Sequence, residues 1–260
     1  MKPLLAPFPP ANLVWLGEAD STNEVAARIM ATWAVEEVEE RLTDTVVVAA
    51  AQTAGRGRGP NVWQSPPGGV YATWLGWLAS EALTWLPMAA GVALAEAIEA
   101  ACPMVSVSLK WPNDIVVGGG KLAGILAQSR ISGDEAWAIV GFGVNVEVAP
   151  SLPTGDPVRP VALRALGYPG TADEAAWRLV DGFLGRLRPA LGTPDDTRER
   201  WVGRSVHRFG ERIRLRLPGE DVVGTFAGFG PEGQLLVATV AGTRTIAAGE
   251  IVLPLAGEEV

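Results

Sequence analysis

The chain has 260 residues, 48% of them hydrophobic, with one cysteine, one histidine and a formal net charge of −8 at pH 7. That length builds an independent core without staples, and the single Cys102 and His207 exclude both an intramolecular disulfide framework and a Cys/His zinc cluster. Both are read as structural. The acidic balance excludes a general affinity for nucleic acid, which needs clustered Lys and Arg, so any anion site has to be local.

In chain order, Lys2 is followed by Pro3, Pro7, Pro9 and Pro10, which interrupt any apolar signal-peptide core, so export is not expected. A strand near 13–16 leads into Asp20-Ser21-Thr22-Asn23-Glu24 and a helix to about residue 42, with Ser21 and Glu24 at capping-box spacing. Strands follow at about 45–51 and 70–77. The stretch 71–95 has Glu81 as its only charge, and a membrane span is the rival reading. Glu81 and Pro87 divide it into a buried strand and a buried helix over 87–101. A strand over 105–110 follows, and 114–117, Gly118-Gly119-Gly120 and 121–128 read as a hairpin. Next come a strand over 136–148, a Pro-rich loop over 149–160 with the length of a lid, and helices over 160–167, 171–190 and 195–202. In the second of these, Trp177, Val180, Phe183, Leu184 and Leu187 are spaced as a core face. From Ser205 the texture changes to short alternating strands at 212–217, 222–229, 234–239 and 243–247, a small barrel. The chain therefore divides into 1–203 and 204–260.

Two segments ask for an anionic ligand. Gln52-Thr53-Ala54-Gly55-Arg56-Gly57-Arg58-Gly59 places two fixed guanidinium groups among glycines that let backbone N–H groups approach an anion. It is no dinucleotide fingerprint, because Pro60 stands at the sixth place. Lys110-Trp111-Pro112-Asn113-Asp114 and Lys121-Leu122-Ala123-Gly124-Ile125-Leu126 set two lysines, an amide and a carboxylate between apolar runs. Gly118-Gly119-Gly120-Lys121 fails as a P-loop, with Ile115 and Leu122 at its two defining positions. Taken singly, a Gly/Arg loop is more often a solvated turn and a lysine a surface charge; the combination carries the argument.

These segments, with Ser21-Thr22-Asn23, Trp63 and Gly141-Phe142-Gly143-Val144-Asn145, closely resemble the biotin protein ligases in order and spacing, and the C-terminal barrel resembles that family's too. The resemblance implies an α/β (α+β) fold: a mixed central β-sheet flanked by helices, with a small C-terminal SH3-like β-barrel. It implies a cytoplasmic enzyme that converts biotin and ATP to biotinyl-5′-AMP and pyrophosphate, then passes biotin to one lysine of a biotin carboxyl carrier protein. Mg²⁺ is implied by the ATP chemistry, with no all-protein metal site; no nucleic acid or membrane partner is expected, and homodimerisation is left open. Carried over by position, Ser21, Thr22, Asn23, Gln52, Gly55, Arg56, Gly57, Arg58, Lys121 and Gly124 would bind biotin. Arg58, Trp63, Lys110, Asn113, Lys121 and Asn145 would bind ATP, and Arg56, Arg58, Lys110, Asp114 and Lys121 would carry catalysis, Asp114 facing the incoming carrier lysine or a lysine of the site.

The chain departs from the family pattern at Gly59-Pro60-Asn61-Val62, which has less charge than the usual basic continuation, and at Arg159-Pro160-Val161-Ala162-Leu163, which leaves the lid contacts unassigned. Lipoate or octanoate ligases of the same fold, and an idle biotin-binding module, are the alternative readings. A bifunctional ligase that also represses transcription is a third, disfavoured by the roughly 20 residues that precede Ser21.

Overall fold

The computed structural model of the chain describes residues 12–35, 44–151 and 159–252. The predicted helix tail to residue 42, the middle of the Pro-rich loop and the N-terminal prolines lie outside the described residues. A seven-stranded mixed sheet dominates, in the order β1 (Asn12–Leu16), β2 (Thr45–Ala49), β3 (Gly69–Ala79), β7 (Glu135–Asn145), β6 (Gly120–Ser132), β5 (Asp114–Val117) and β4 (Ser108–Lys110). Only β1 and β2 pair in parallel; every other neighbour is antiparallel.

The central strands read as nearly continuous apolar runs because both faces are covered. Val46, Val48, Ala72, Trp74, Val140 and Phe142 pack in one cluster with α2 (Leu86–Ala101) and α3 (Ala172–Gly192), and α4 (Pro194–Arg204) adds Trp201. Val47, Leu75 and Ile139, one residue out of phase, meet α1 (Thr22–Val35) on the opposite face through Ala26. The stretch around Glu81 resolves as expected into strand and helix, with Glu81 in a short 3-10 turn between them. No helix among the described residues is long and apolar enough to cross a membrane. Cys102 is buried and free.

Three expected elements or placements need correction. The helix expected over 160–167 is only a 3-10 turn at Leu163–Leu166, because residues 159–161 bond alongside Lys121 instead. Residues 105–107 precede the strand rather than belonging to it. Trp177 is not a core residue of α3 but 36% exposed, stacked on Trp15 of β1 at 5.1 Å between ring centroids.

The C-terminal part is a five-stranded antiparallel sheet, in the order β11 (Gly242–Ile246), β10 (Leu235–Thr239), β9 (Glu220–Phe229), β8 (Arg212–Leu217), β12 (Glu250–Val252). Strand β12 is absent from the sequence reading, since three residues show no periodicity. Ile213, Leu215, Val222, Phe226, Leu235 and Val237 form this sheet's own core. One member of that core comes from outside it. Trp111, 3% exposed, leaves the end of β4, joins the cluster and donates its indole N–H to the Gly233 carbonyl at 3.0 Å. The backbone joins the two sheets at the same place, Val206 N–H donating to Leu109 O at 3.0 Å.

Candidate active site

Side chains on one face of an antiparallel sheet line up in rows set by the register. One row on the α1 face runs Lys110, Asp114, Gly124, Gly143 and Tyr71 across β4, β5, β6, β7 and β3, and the next includes Leu126, Gly141 and Thr73. Glycines at three of these places make a floor without side chains. A Cβ on Gly143 would lie 2.3 Å from Trp63 Nε1, and one on Gly124 3.0 Å from the same ring, so the indole lies flat across the floor. A Cβ on Gly141 would fall 1.8 Å from Asn23 Oδ1.

Above this floor is a cavity of about 480 Å³. It is bounded by the start of α1, the Gly/Arg loop, the ends of β4 to β6 and the edge of the C-terminal sheet. Ser21, Thr22, Asn23, Gln52, Arg56, Gly57, Arg58, Trp63, Lys110, Asn113, Asp114, Lys121, Gly124 and Asn145 all line it, so one space gathers every sequence-predicted site residue but Gly55. Gly55 is buried beneath the loop, where a Cβ would sit 2.3 Å from the Trp63 carbonyl and 2.5 Å from Ser65 Oγ, so close packing requires a glycine there.

At the α1 end the polar groups are fixed by one another. Gln52 Oε1 accepts from the Thr22 backbone N–H at 2.8 Å and hydroxyl at 3.2 Å, while Gln52 Nε2 donates to Ser65 Oγ at 2.7 Å. The buried Thr73 hydroxyl lies 2.8 Å from Thr22 Oγ1 and 2.7 Å from Asn23 Oδ1, and Asn23 Nδ2 donates to Gln128 Oε1 at 3.0 Å. Thr73 and Gln128 went unassigned from sequence; Thr73, the hydroxyl inside an apolar strand, was the readable signal. The capping box expected of Ser21 and Glu24 does not form, because Glu24 pairs with Arg56. Asp20 holds this turn instead. It accepts the Ser21 N–H at 2.7 Å, and its bidentate bond to Arg28, with that N–H, draws its carboxyl down to about 2. No group among the described residues bonds the Ser21 hydroxyl, which faces the cavity.

The β4–β5 end is cationic. Arg58, Lys110, Lys121 and Arg216 line it against the carboxylates of Asp114 and Glu250, in a chain whose net charge is −8, while Arg56 pairs with Glu24 of α1. Lys121 Nζ lies 2.7 Å from Asp114 and 5.4 Å from the Trp63 ring centroid. Its backbone is clamped by Arg159 O and Val161 N at 2.7 and 3.0 Å, which gives the segment around Pro160 a strand-like place beside β6. Asn145 secures that segment, its amide donating to Val161 O at 3.1 Å, and Asn113 donates to Ile125 O at 2.8 Å. Both amides therefore use their N–H groups on the protein. His207, 5% exposed, is a core residue as expected; burial and then nearby Lys110 push it down to about 4.

The Gly/Arg loop folds as a small hairpin. Gly57 N–H donates to Asn61 O at 2.8 Å and Trp63 N–H to Gly55 O at 3.0 Å. Gly59, at φ +59°, takes the turn, and Pro60 follows where no donor is needed. Arg58 reaches across the cavity to Gly249 O at 2.9 Å. Burial presses its guanidinium downward and the charges of Asp114 and Glu250 oppose this; an arginine stays charged there. Among the described residues no group of three or more His, Cys, Asp or Glu side chains could hold a metal.

Fold and site together define a ligase catalytic fold of the biotin/lipoate type joined to a small antiparallel barrel. Residues 20–145 match the family described as "Biotin/lipoate A/B protein ligase family", and residues 209–253 match "Biotin protein ligase C terminal domain". The biotin–[acetyl-CoA-carboxylase] ligase of Paracoccus denitrificans is 34% identical over 221 residues, 79% of this chain and 88% of that protein. That of Mycobacterium tuberculosis is 31% identical over 217 residues, 80% of this chain and 78% of that protein. The structure of the Aquifex aeolicus biotin protein ligase in complex with biotin and ATP is similar with a TM-score of 0.68 and 29% identity, covering 93% of this chain and 97% of that one. The chain belongs to the biotin protein ligase family.

The glycine floor yields a test. Gly141→Ala should displace Asn23 from its buried bonds and lower stability by about 1–3 kcal/mol, the scale for overpacking. Gly17→Ala, with nothing within 4 Å of the new methyl, should leave the melting temperature unchanged. Indistinguishable melting curves for the two variants would show that Asn23 is not held as described.

Proposed function

We propose that biotin occupies the α1 end of the cavity and ATP the β4–β5 end, with Lys121 between the two reacting anions. The reaction is that of the family, ATP-dependent ligation of biotin to protein. A biotin carboxylate oxygen attacks the α-phosphorus of ATP, the bond to the β-phosphate oxygen breaks, and pyrophosphate leaves with its electron pair. The acceptor amine then attacks the acyl carbon of the mixed anhydride, AMP leaves, and the new amide nitrogen gives up a proton. The acceptor is a biotin-carrying carboxylase subunit, and we place the transfer on one lysine of its carrier domain.

The observation that carries this reading is a single cavity that holds a fixed polar network at one end and an excess of cations at the other. The network of Thr22, Asn23, Gln52 and Thr73 offers oriented donors and acceptors to a neutral polar ring. The cations lower the repulsion between carboxylate and triphosphate and stabilise charge in the transition state. Asp114 serves Lys121 in this arrangement, holding the ammonium on the row that faces the floor. Asp114 and Glu250 are too few to form a metal cage, so Mg²⁺ is assigned to the phosphates of ATP itself. The division at 203/204 is supported by two separate sheets, each with its own core cluster, joined through Trp111. Incubation with biotin, ATP and Mg²⁺ should give biotinyl-5′-AMP by mass spectrometry; lipoate or octanoate adenylate formed in preference would reassign the substrate.

The Gly/Arg loop is proposed as the cover that retains the adenylate, since Arg58 ties it to the C-terminal sheet. Arg58→Gly should still make the adenylate and release it, so that a bystander protein mixed with the enzyme becomes biotinylated. Bystander labelling equal to wild type at matched adenylate production would remove the loop from this role.

A further inference from the structure

We infer that Arg216, on the C-terminal sheet, is a further substrate-contacting residue that donates to the polyphosphate of ATP; the inference rests on the reading of the cavity given above. In Arg212-Ile213-Arg214-Leu215-Arg216, alternation sends Ile213 and Leu215 into the barrel core and the three arginines outward. Of these arginines, Arg216 alone lines the cavity. Its cross-strand neighbours are both acidic, Asp221 on β9 and Glu250 on β12. Neither neutralises it: among the described residues Arg216 forms no ion pair, whereas Glu24 takes Arg56 and Asp114 takes Lys121. The charge of Glu250 also acts on Arg58.

An unpaired guanidinium facing a space that Arg58 and Lys110 also line is repelled by them, and the arrangement becomes favourable when a multiply charged anion enters. Position selects the anion. The C-terminal sheet meets the catalytic sheet at β4, where Leu109 bridges Ser205 and Trp111 packs in the same core as Leu215. Arg216 therefore belongs to the Lys110 end, away from the Thr22 and Gln52 network. The single carboxylate of biotin is met by Lys121, while the phosphates of ATP extend farther and suit the planar fork of an arginine, which can bind two oxygens at once.

The test compares R216Q, R216K and R214Q. R216Q should raise the KM for ATP about tenfold, the usual scale of one charge-assisted hydrogen bond. It should weaken the binding of inorganic pyrophosphate in parallel and leave biotin affinity at the wild-type value. R216K, which keeps the charge and loses the fork, should fall between. R214Q, on the same face but outside the cavity, should behave as wild type. An ATP KM and pyrophosphate affinity unchanged in R216Q would overturn the inference. So would an equal effect in R214Q, which would indicate general surface charge, or a raised KM for the carrier domain alone, which would move Arg216 to the acceptor surface. If R216Q is poorly folded, R216K decides by the same two readouts, wild-type values overturning the inference. Failure of the underlying reading is separate, since wild-type enzyme would then make no biotinyl-5′-AMP at all.

Discussion

Lys121→Gln should slow biotin-dependent pyrophosphate release at least about 100-fold, a loss of roughly 3 kcal/mol, while leaving the melting temperature nearly unchanged. The two halves of that expectation come from different observations. Lys121 is held on both sides of its peptide by Arg159 and Val161, its ammonium is fixed 2.7 Å from Asp114, and it lies over the Trp63 ring. It needs little reorganisation when a carboxylate and an α-phosphate approach, and that is the condition under which a single charge contributes most to a transition state. Yet the Lys121 and Asp114 side chains remain 24% and 17% exposed, so solvent screens the pair and its loss should cost the fold about 1 kcal/mol or less. Lys121→Arg should not restore the rate, because a planar guanidinium does not fit where a compact ammonium sits between Asp114 and the indole. Rapid-quench measurement of adenylate formation, alongside calorimetric melting of each variant, separates the two effects. A folded Gln variant within about threefold of wild type would take Lys121 off the catalytic list.

Much of the site was legible in the sequence because its residues are chemically out of place there. Lysines, an amide and a carboxylate between apolar runs have no structural reason to occur together, and neither have two arginines separated by single glycines. Their gathering in one cavity follows from the register that places Lys110 opposite Asp114 and Asp114 opposite Gly124. The hairpin around Gly118-Gly119 was equally readable, since both residues adopt positive φ in the turn. The strand and helix around Glu81 were readable because one charge and one proline interrupt an apolar run at the right places.

What escaped reading depends on contacts between distant segments. Nothing near Ser21 and Glu24 says that the carboxylate will turn to Arg56, since a capping box and a loop clasp need the same residue. A glycine's packing role is equally hidden: Gly55, Gly141 and Gly143 have no room for a Cβ beside Ser65, Asn23 and Trp63. Trp177 fits the helical period of a core face, and only the neighbouring edge strand with Trp15 explains why it stands partly outside. Arg216 reads as one of three solvated arginines on an alternating strand; its place on the cavity depends on how the C-terminal sheet docks.

That docking rests heavily on Trp111, and Trp111→Ala should be the most destabilising of the substitutions considered. The side chain is 3% exposed within the barrel core, beside residues such as Leu215 and Phe226, so its removal leaves a large hole in the core of the C-terminal sheet. It also strips the Gly233 carbonyl of its indole donor. Loss of a buried aromatic side chain costs about 3–5 kcal/mol, and for a chain of this size that corresponds to a fall of roughly 10 °C in melting temperature. Trp111→Phe keeps most of the packing and loses the hydrogen bond, and should cost about 1 kcal/mol. The functional consequence should be directional. Lys110, the last residue of β4, directly precedes Trp111, and Arg58 meets the barrel at Gly249, so loosening the barrel should raise the KM for ATP more than it weakens biotin, whose network lies across the sheet at Thr22 and Gln52. Scanning calorimetry and paired titrations of ATP and biotin would show this pattern at temperatures where the variant is still folded. A Trp111→Ala protein that melts within about 2 °C of wild type, about one kcal/mol of destabilisation or less for a chain of this size, would mean that the barrel is held to the catalytic sheet by something other than this side chain.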